Sequence, residues 1–182
     1  MSEAASLPAN TTLTKRDLFY TSHDGLTLYA ADYGPIDSDT VILCMHGLTR
    51  NHKDFEPMIE GLGLKARFIS VDVRGRGKSD RDPNGTTYQP PFYAQDMATL
   101  MAHLNLDKVI LIGTSMGGLM AMLMAKAFPE KIRGIVMNDV GPEVNPAGLK
   151  RIAGYAGGNE IFDSWGDAAA AIGKTQAGVY PD

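Results

Sequence analysis

The sequence predicts a doubly wound α/β fold on a mostly parallel sheet, and three observations carry that expectation. Apolar runs of strand length alternate with single helical segments, at Thr40 to Met45, Ala66 to Val73, Lys108 to Ile112 and Ile132 to Asn138. Near-continuous apolar runs of this kind mark strands covered on both faces. Two β-prone runs near the start, Asp17 to Thr21 and Leu26 to Tyr33, flank Ser22-His23-Asp24-Gly25, whose Asp-Gly pair predicts a hairpin with His23 at its solvated tip. The third observation is Gly113-Thr114-Ser115-Met116-Gly117-Gly118, which follows one apolar strand and leads straight into an apolar helix.

Taken in order, the Thr40 to Met45 strand closes at His46-Gly47, and Asp54 to Gly61 has weak helical character. Ala66 to Val73 carries Asp72-Val73-Arg74-Gly75 at its carboxyl end, with Arg74 and Arg76 expected to pair with Asp72 and Asp80 and so hold that loop. After Pro90-Pro91, the residues Tyr93, Met97, Leu100, Met101 and Leu104 recur as one stripe of an amphipathic helix, with His103 off the stripe and facing solvent. Met116 to Phe128 is apolar almost all round and stops at Pro129, so it must be buried on most sides. Ile132 to Asn138 predicts one more buried strand, ending in Asp139-Val140-Gly141-Pro142. Beyond Pro142 strand signals vanish and Gly148 to Ala153 and Asp167 to Lys174 read as short helices. Residues 1–142 are thus the expected core and 143–182 the start of a helical cap or lid.

Composition narrows the function classes. With 182 residues, 44% hydrophobic and 21% charged, the chain suffices for a domain with a substantial core, which excludes disordered and fibrous classes. A net charge of -4 without blocks of like charge calls for neither nucleic acid nor a membrane surface as partner. The uncharged run Val109 to Ala125 is broken by the Gly-Thr-Ser turn, so it reads as strand plus helix. Met1 to Thr14 is polar and shows no secretory pattern, and the single cysteine, Cys44, sits in an apolar strand where a thiol is inert packing. Both features lead to an expectation of cytoplasmic residence.

Ser115 is the best clue to chemistry. A sharp strand-to-helix turn strains its central residue and needs small residues two positions to either side, which Gly113 and Gly117 supply. At the crest the Ser115 hydroxyl faces a substrate, while the Met116 amide at the helix N-terminus can donate to a developing oxyanion. Other motif matches fail. Gly77-Lys78-Ser79 lacks the earlier glycine of a phosphate loop, because Asp72 stands there. Gly113 and its neighbours do not fit a dinucleotide fingerprint, and His46 with His52 matches no zinc spacing, so neither cofactor nor metal is expected.

Together Ser115 in its turn, His46-Gly47, and Asp72-Val73-Arg74-Gly75-Arg76-Gly77-Lys78-Ser79-Asp80 resemble the α/β-hydrolase superfamily, in particular its small esterase and lactonase-like members, over about Asp17 to Pro142. The resemblance implies an oxyanion hole from the Leu48 and Met116 amides, with His46 and Gly47 supporting that loop and His46 not the general base. It implies a triad in the order serine, acid, histidine. All four histidines, His23, His46, His52 and His103, precede Ser115, so the base is expected outside this chain. Asp139 is either the acid or a turn residue ahead of Gly141-Pro142. The family sheet has eight strands; strands one to six are expected here and the last ones not. Left unpaired, Ile132 to Asn138 is an exposed edge, which a second polypeptide carrying the last strands and the histidine would cover.

The implied activity is hydrolysis of a carboxylic ester or lactone through an acyl-enzyme, with this chain alone inactive. Serine at the crest leaves carbon-carbon bond hydrolases, thioesterases, amidases and perhydrolases open. Arg50 and Asn51 are candidates to bind a substrate carboxylate. The reading from another class is a non-catalytic binding protein that keeps the pocket without a working base.

Overall fold

The computed structural model describes residues 13–143, 146–156 and 160–176; residues 1–12, most of the polar leading segment, lie outside them. Six strands form one sheet in the order β1-β2-β4-β3-β5-β6. In chain order these are β1 (Lys15–Thr21), β2 (Thr27–Tyr33), β3 (Val41–Met45), β4 (Arg67–Asp72), β5 (Val109–Thr114) and β6 (Ile132–Asn138). The β1–β2 hairpin is antiparallel, as the Asp-Gly turn predicts, and β2 also meets β4 antiparallel. Every other pairing is parallel. The chain winds from β3 to β4 on one side and crosses back to β5 on the other, so strand order reverses at β3, where such sheets hold their ligands.

Alternate side chains of the central strands feed two separate cores. Leu28, Leu43, Met45, Ile69, Val71 and Leu111 point to the face covered by α2 (Pro90–His103) and α3 (Met116–Ala127). Tyr29, Ala31, Ile42, Cys44 and Phe68 point to the opposite face, under α1 (Glu56–Leu62) and the short 3-10 turn His52–Phe55. The α2 stripe is buried at Tyr93, Met97, Leu100 and Met101, with Leu104 half-buried and His103 exposed. Cys44 is enclosed, and burial pushes its thiol up to about 12.

Strand β6 departs from the expectation of a buried strand. Ile135, Val136 and Met137 are all exposed, because β6 pairs with β5 along one edge and no described strand pairs along the other. The chain divides into two units between Pro142 and Glu143. The second unit contains α4 (Pro146–Tyr155) and α5 (Trp165–Gln176). Ser164 caps α5 by accepting from the Asp167 N–H at 3.1 Å while its hydroxyl donates to Asp167 Oδ2 at 2.6 Å. Among the described residues no helix is long and apolar enough to cross a membrane.

The loop after β4 is fixed differently from the expected pairing with Asp72 and Asp80. Arg74 is fully buried and donates to Asp96 on α2 at 2.7 and 2.6 Å, and to Asp24 of the hairpin turn at 2.7 and 3.1 Å. Asp72 instead accepts from His52 and the Lys78 amide, and Asp80 accepts from the Thr27 amide. One guanidinium thereby ties hairpin, loop and helix together. It also satisfies Asp24 and Asp96, which otherwise form with His23 an acidic cluster close enough for a cation.

Replacing Arg74 by Met leaves Asp96 buried without its cation and should cost about 3–5 kcal/mol, read by urea denaturation. The hydrogen bonds from Arg74 hold the Asp24 carboxyl at about 2, against an ordinary 3.8. That stabilisation is complete above about pH 5 and disappears as the pH falls toward 2. The stability gap between the protein and its Asp24→Asn variant should therefore close over that window; a gap constant with pH contradicts it.

Candidate active site

Backbone geometry singles out Ser115. It occupies φ 51° and ψ -111° between β5 and α3, a left-handed conformation in which an L-residue is strained. Serine is a common helix cap, yet in this conformation Ser115 makes no side-chain capping bond. The backbone does the holding: the Ser115 N–H donates to Asn138 O at 2.9 Å, and its carbonyl accepts from Gly118 at 2.9 Å and Leu119 at 3.2 Å.

Small residues are required where the sequence puts them. A Cβ on Gly113 would collide with the Gly117 carbonyl, and one on Gly117 would collide with the Met45 carbonyl at the end of β3. Both obstacles are backbone, which cannot swing aside. The helix therefore starts in direct contact with the ends of two neighbouring strands.

The loop leaving β3 meets the same turn. A Cβ built on Gly47 lies 3.8 Å from Ser115 Cβ, so His46-Gly47-Leu48 runs beside the serine. His46 is fully buried; its Nε2 accepts from the Val73 N–H at 3.1 Å, which leaves Nδ1 protonated and donating to Gly47 O at 2.7 Å. With both nitrogens engaged and burial lowering its pKa, this ring is a neutral brace with no position free for proton transfer to Ser115. Among the described residues, no acceptor takes a hydrogen bond from the Leu48 or the Met116 amide.

The remaining candidates separate. Asp139 follows β6 directly, is exposed, and has φ 57°; the Asn138 carbonyl before it bonds Ser115. That places it next to the serine turn, in a conformation that Asp tolerates as a turn residue. Asn51 spends its side chain capping the His52–Phe55 turn at Lys53, and Arg50 pairs with Asp54 at 3.8 Å, so neither stands ready as the expected carboxylate site. His52 is buried against Asp72 with Nδ1 2.8 Å from Oδ1 and its ring edge-on to Tyr29. His23 stacks on Phe92, and His103 lies beside Tyr20.

Sequence reasoning missed the His52–Asp72 pair and an open groove of about 420 Å³ lined by Leu48, Gly75, Arg76, Arg81, Tyr88 and Tyr93. A larger depression of about 520 Å³ between α2 and α3, walled by Pro91, Ala94, Leu123 and Phe128, touches none of the residues around Ser115.

Strain at Ser115 and crowding at Gly117 give opposite expectations. Ser115→Gly should raise stability by about 1 kcal/mol, because relief of strain exceeds the extra chain entropy of glycine. Gly117→Ala should lower it by about 2–3 kcal/mol through backbone collision. Chemical denaturation of both variants reads the contrast directly.

With this geometry in place, comparison with known proteins is informative. The family described as alpha/beta hydrolase fold matches residues 40–171. A 3-hydroxybutyrate-oligomer hydrolase of Cupriavidus necator is 40% identical over 126 residues, covering 69% of this chain and 43% of that protein. A 2-(acetamidomethylene)succinate hydrolase of Mesorhizobium japonicum is 32% identical over 146 residues, covering 80% of this chain and 50% of that protein. The crystal structure of an alpha/beta hydrolase from Novosphingobium aromaticivorans superposes with a TM-score of 0.86 at 44% identity, over 92% of this chain and 59% of the other. The chain spans about half the length of the curated relatives it matches. By its sheet order, its serine turn and these matches, the chain belongs to the alpha/beta hydrolase fold family.

Proposed function

We propose that the full-length protein containing this chain is a serine hydrolase that cleaves carboxylic esters or lactones by acyl transfer through Ser115. The observation that carries this reading is a hydroxyl unused for capping, held on a strained turn that meets the Gly47-Leu48 loop, with the Leu48 and Met116 amides lacking an acceptor among the described residues. In the proposed reaction Ser115 Oγ bonds to the acyl carbon as the carbon–oxygen ester bond breaks. Its proton passes to an imidazole and then to the departing alcohol, and water reverses the sequence to release the acid. The Met116 and Leu48 amides take the negative charge that develops on the carbonyl oxygen.

The imidazole is assigned to sequence beyond this chain, since His46 and His52 are committed elsewhere in the core. A second polypeptide bearing the last strands would serve equally and would cover the exposed edge of β6. Asp139 is proposed to orient that imidazole, residues 143–182 to begin a helical cap or lid, and the protein to reside in the cytoplasm. The names of two relatives, hydrolases of a 3-hydroxybutyrate oligomer and of an acetamidomethylene succinate, support a small acid-derived substrate.

In the full-length protein, Ser115→Ala should reduce turnover of 4-nitrophenyl acetate by at least about 1000-fold. A fluorophosphonate should label the unaltered protein once, with the adduct on Ser115 by peptide mass. Undiminished turnover in the variant overturns the proposal, and absence of labelling favours the non-catalytic binding reading.

A further inference from the structure

The groove beside the Leu48 loop contains an arginine that is fixed without being neutralised. Arg76 is half-buried, and its Nε donates to Leu48 O at 3.3 Å while Nη1 donates to Arg74 O at 2.9 Å and to the Tyr93 hydroxyl at 3.1 Å. Its guanidinium lies over the rings of Tyr88 at 5.6 Å and Tyr93 at 5.2 Å. Every one of these partners is neutral. Among the described residues neither Arg76 nor Arg81 forms an ion pair, as Arg133 and Arg151 also do not, whereas Arg16, Arg50, Arg67 and Arg74 all do. Asp82, the carboxylate next to Arg81 in sequence, is turned toward the Asn84 and Thr87 amides.

Holding a long side chain this firmly costs conformational freedom. A loop brace alone has no need of a full positive charge. Two aromatic walls also lower the local polarity, which strengthens any charge that the guanidinium meets. Nη2 of Arg76 has no acceptor among the described residues, and Arg81 lines the same groove. The two unspent hydrogens on Nη2, with Arg81 as a second cation, suit the two oxygens of a carboxylate; a phosphate would leave further oxygens unserved.

Resting on the serine-hydrolase reading, we infer that this groove binds a carboxylate at the non-reacting end of the substrate, with Arg76 as the specificity-determining residue and Arg81 as a second contact. The distance to the reacting end is short in chain terms. Arg76 bonds the Leu48 carbonyl, and Leu48 follows Gly47, which runs beside Ser115. A volume of about 420 Å³ accommodates a short acyl chain. The acyl class is therefore a half-ester or similar derivative of a small dicarboxylic acid.

The test compares 4-nitrophenyl hydrogen succinate with 4-nitrophenyl butyrate in the full-length protein. The unaltered protein should favour the succinate ester, and added salt should erode that preference. Arg76→Gln should lower the ratio of the two kcat/KM values by about 10- to 100-fold, with the loss chiefly in KM for succinate. Arg76→Lys should recover part of the ratio, and Arg81→Gln should lower it a few-fold. Equal losses on both esters, or no initial preference, overturn the subsite and leave the hydrolase reading standing. Where neither ester is turned over, the hydrolase reading fails instead, and calorimetric titration with succinate decides the subsite: binding abolished in Arg76→Gln supports it, and no binding by the unaltered protein overturns it.

Discussion

The first turn of α3 is pressed against the ends of β3 and β5, and the rest of the site follows from that approach. Gly113 and Gly117 remove the side chains that would hold the helix away. The closeness forces the chain to reverse within one residue, which puts Ser115 into a left-handed conformation. Because β3 and β5 are neighbours at the point where strand order reverses, the loop leaving β3 passes the same residue. Convergence of these loops is a property of the sheet order, and the chemistry attached to it is a matter of which side chains stand there.

Local features of this arrangement were legible in the sequence. The apolar runs of β3, β4 and β5, the Asp-Gly hairpin and the stripe of α2 are encoded by residues close together, so periodicity and turn chemistry read them. The serine turn was legible for the same reason. Partnerships across the chain were not. Arg74 finds Asp24 at a separation of 50 residues and Asp96 at 22, and nearness in sequence pointed wrongly to Asp72 and Asp80. The His52–Asp72 pair exists because β3 lies beside β4, a fact that no local pattern states. The apolar character of β6 predicted burial, but burial depends on neighbours, and none among the described residues lies along its outer edge.

Arginine pairing divides the molecule into two electrostatic regimes. Arg67 and Arg74 are enclosed and matched to carboxylates, so their charges are spent internally on holding strands and loops. Arg76 sits two residues from Arg74 and is braced by carbonyls, a phenol and ring faces. The same stretch of chain therefore contributes one cation to architecture and leaves its neighbour's charge available in the groove.

The His46 ring sets an acid limit on the Leu48 loop that is independent of any catalytic proton. Its Nε2 faces the Val73 N–H, so a second ring proton would set one donor against another and loosen the brace between the ends of β3 and β4. Burial lowers the imidazole pKa, so the brace is fully stabilising near neutrality and weakens as acidification proceeds below the ordinary histidine range. Acidification would then act on the wall beside the serine mechanically, by opposing two donors at the Val73 amide.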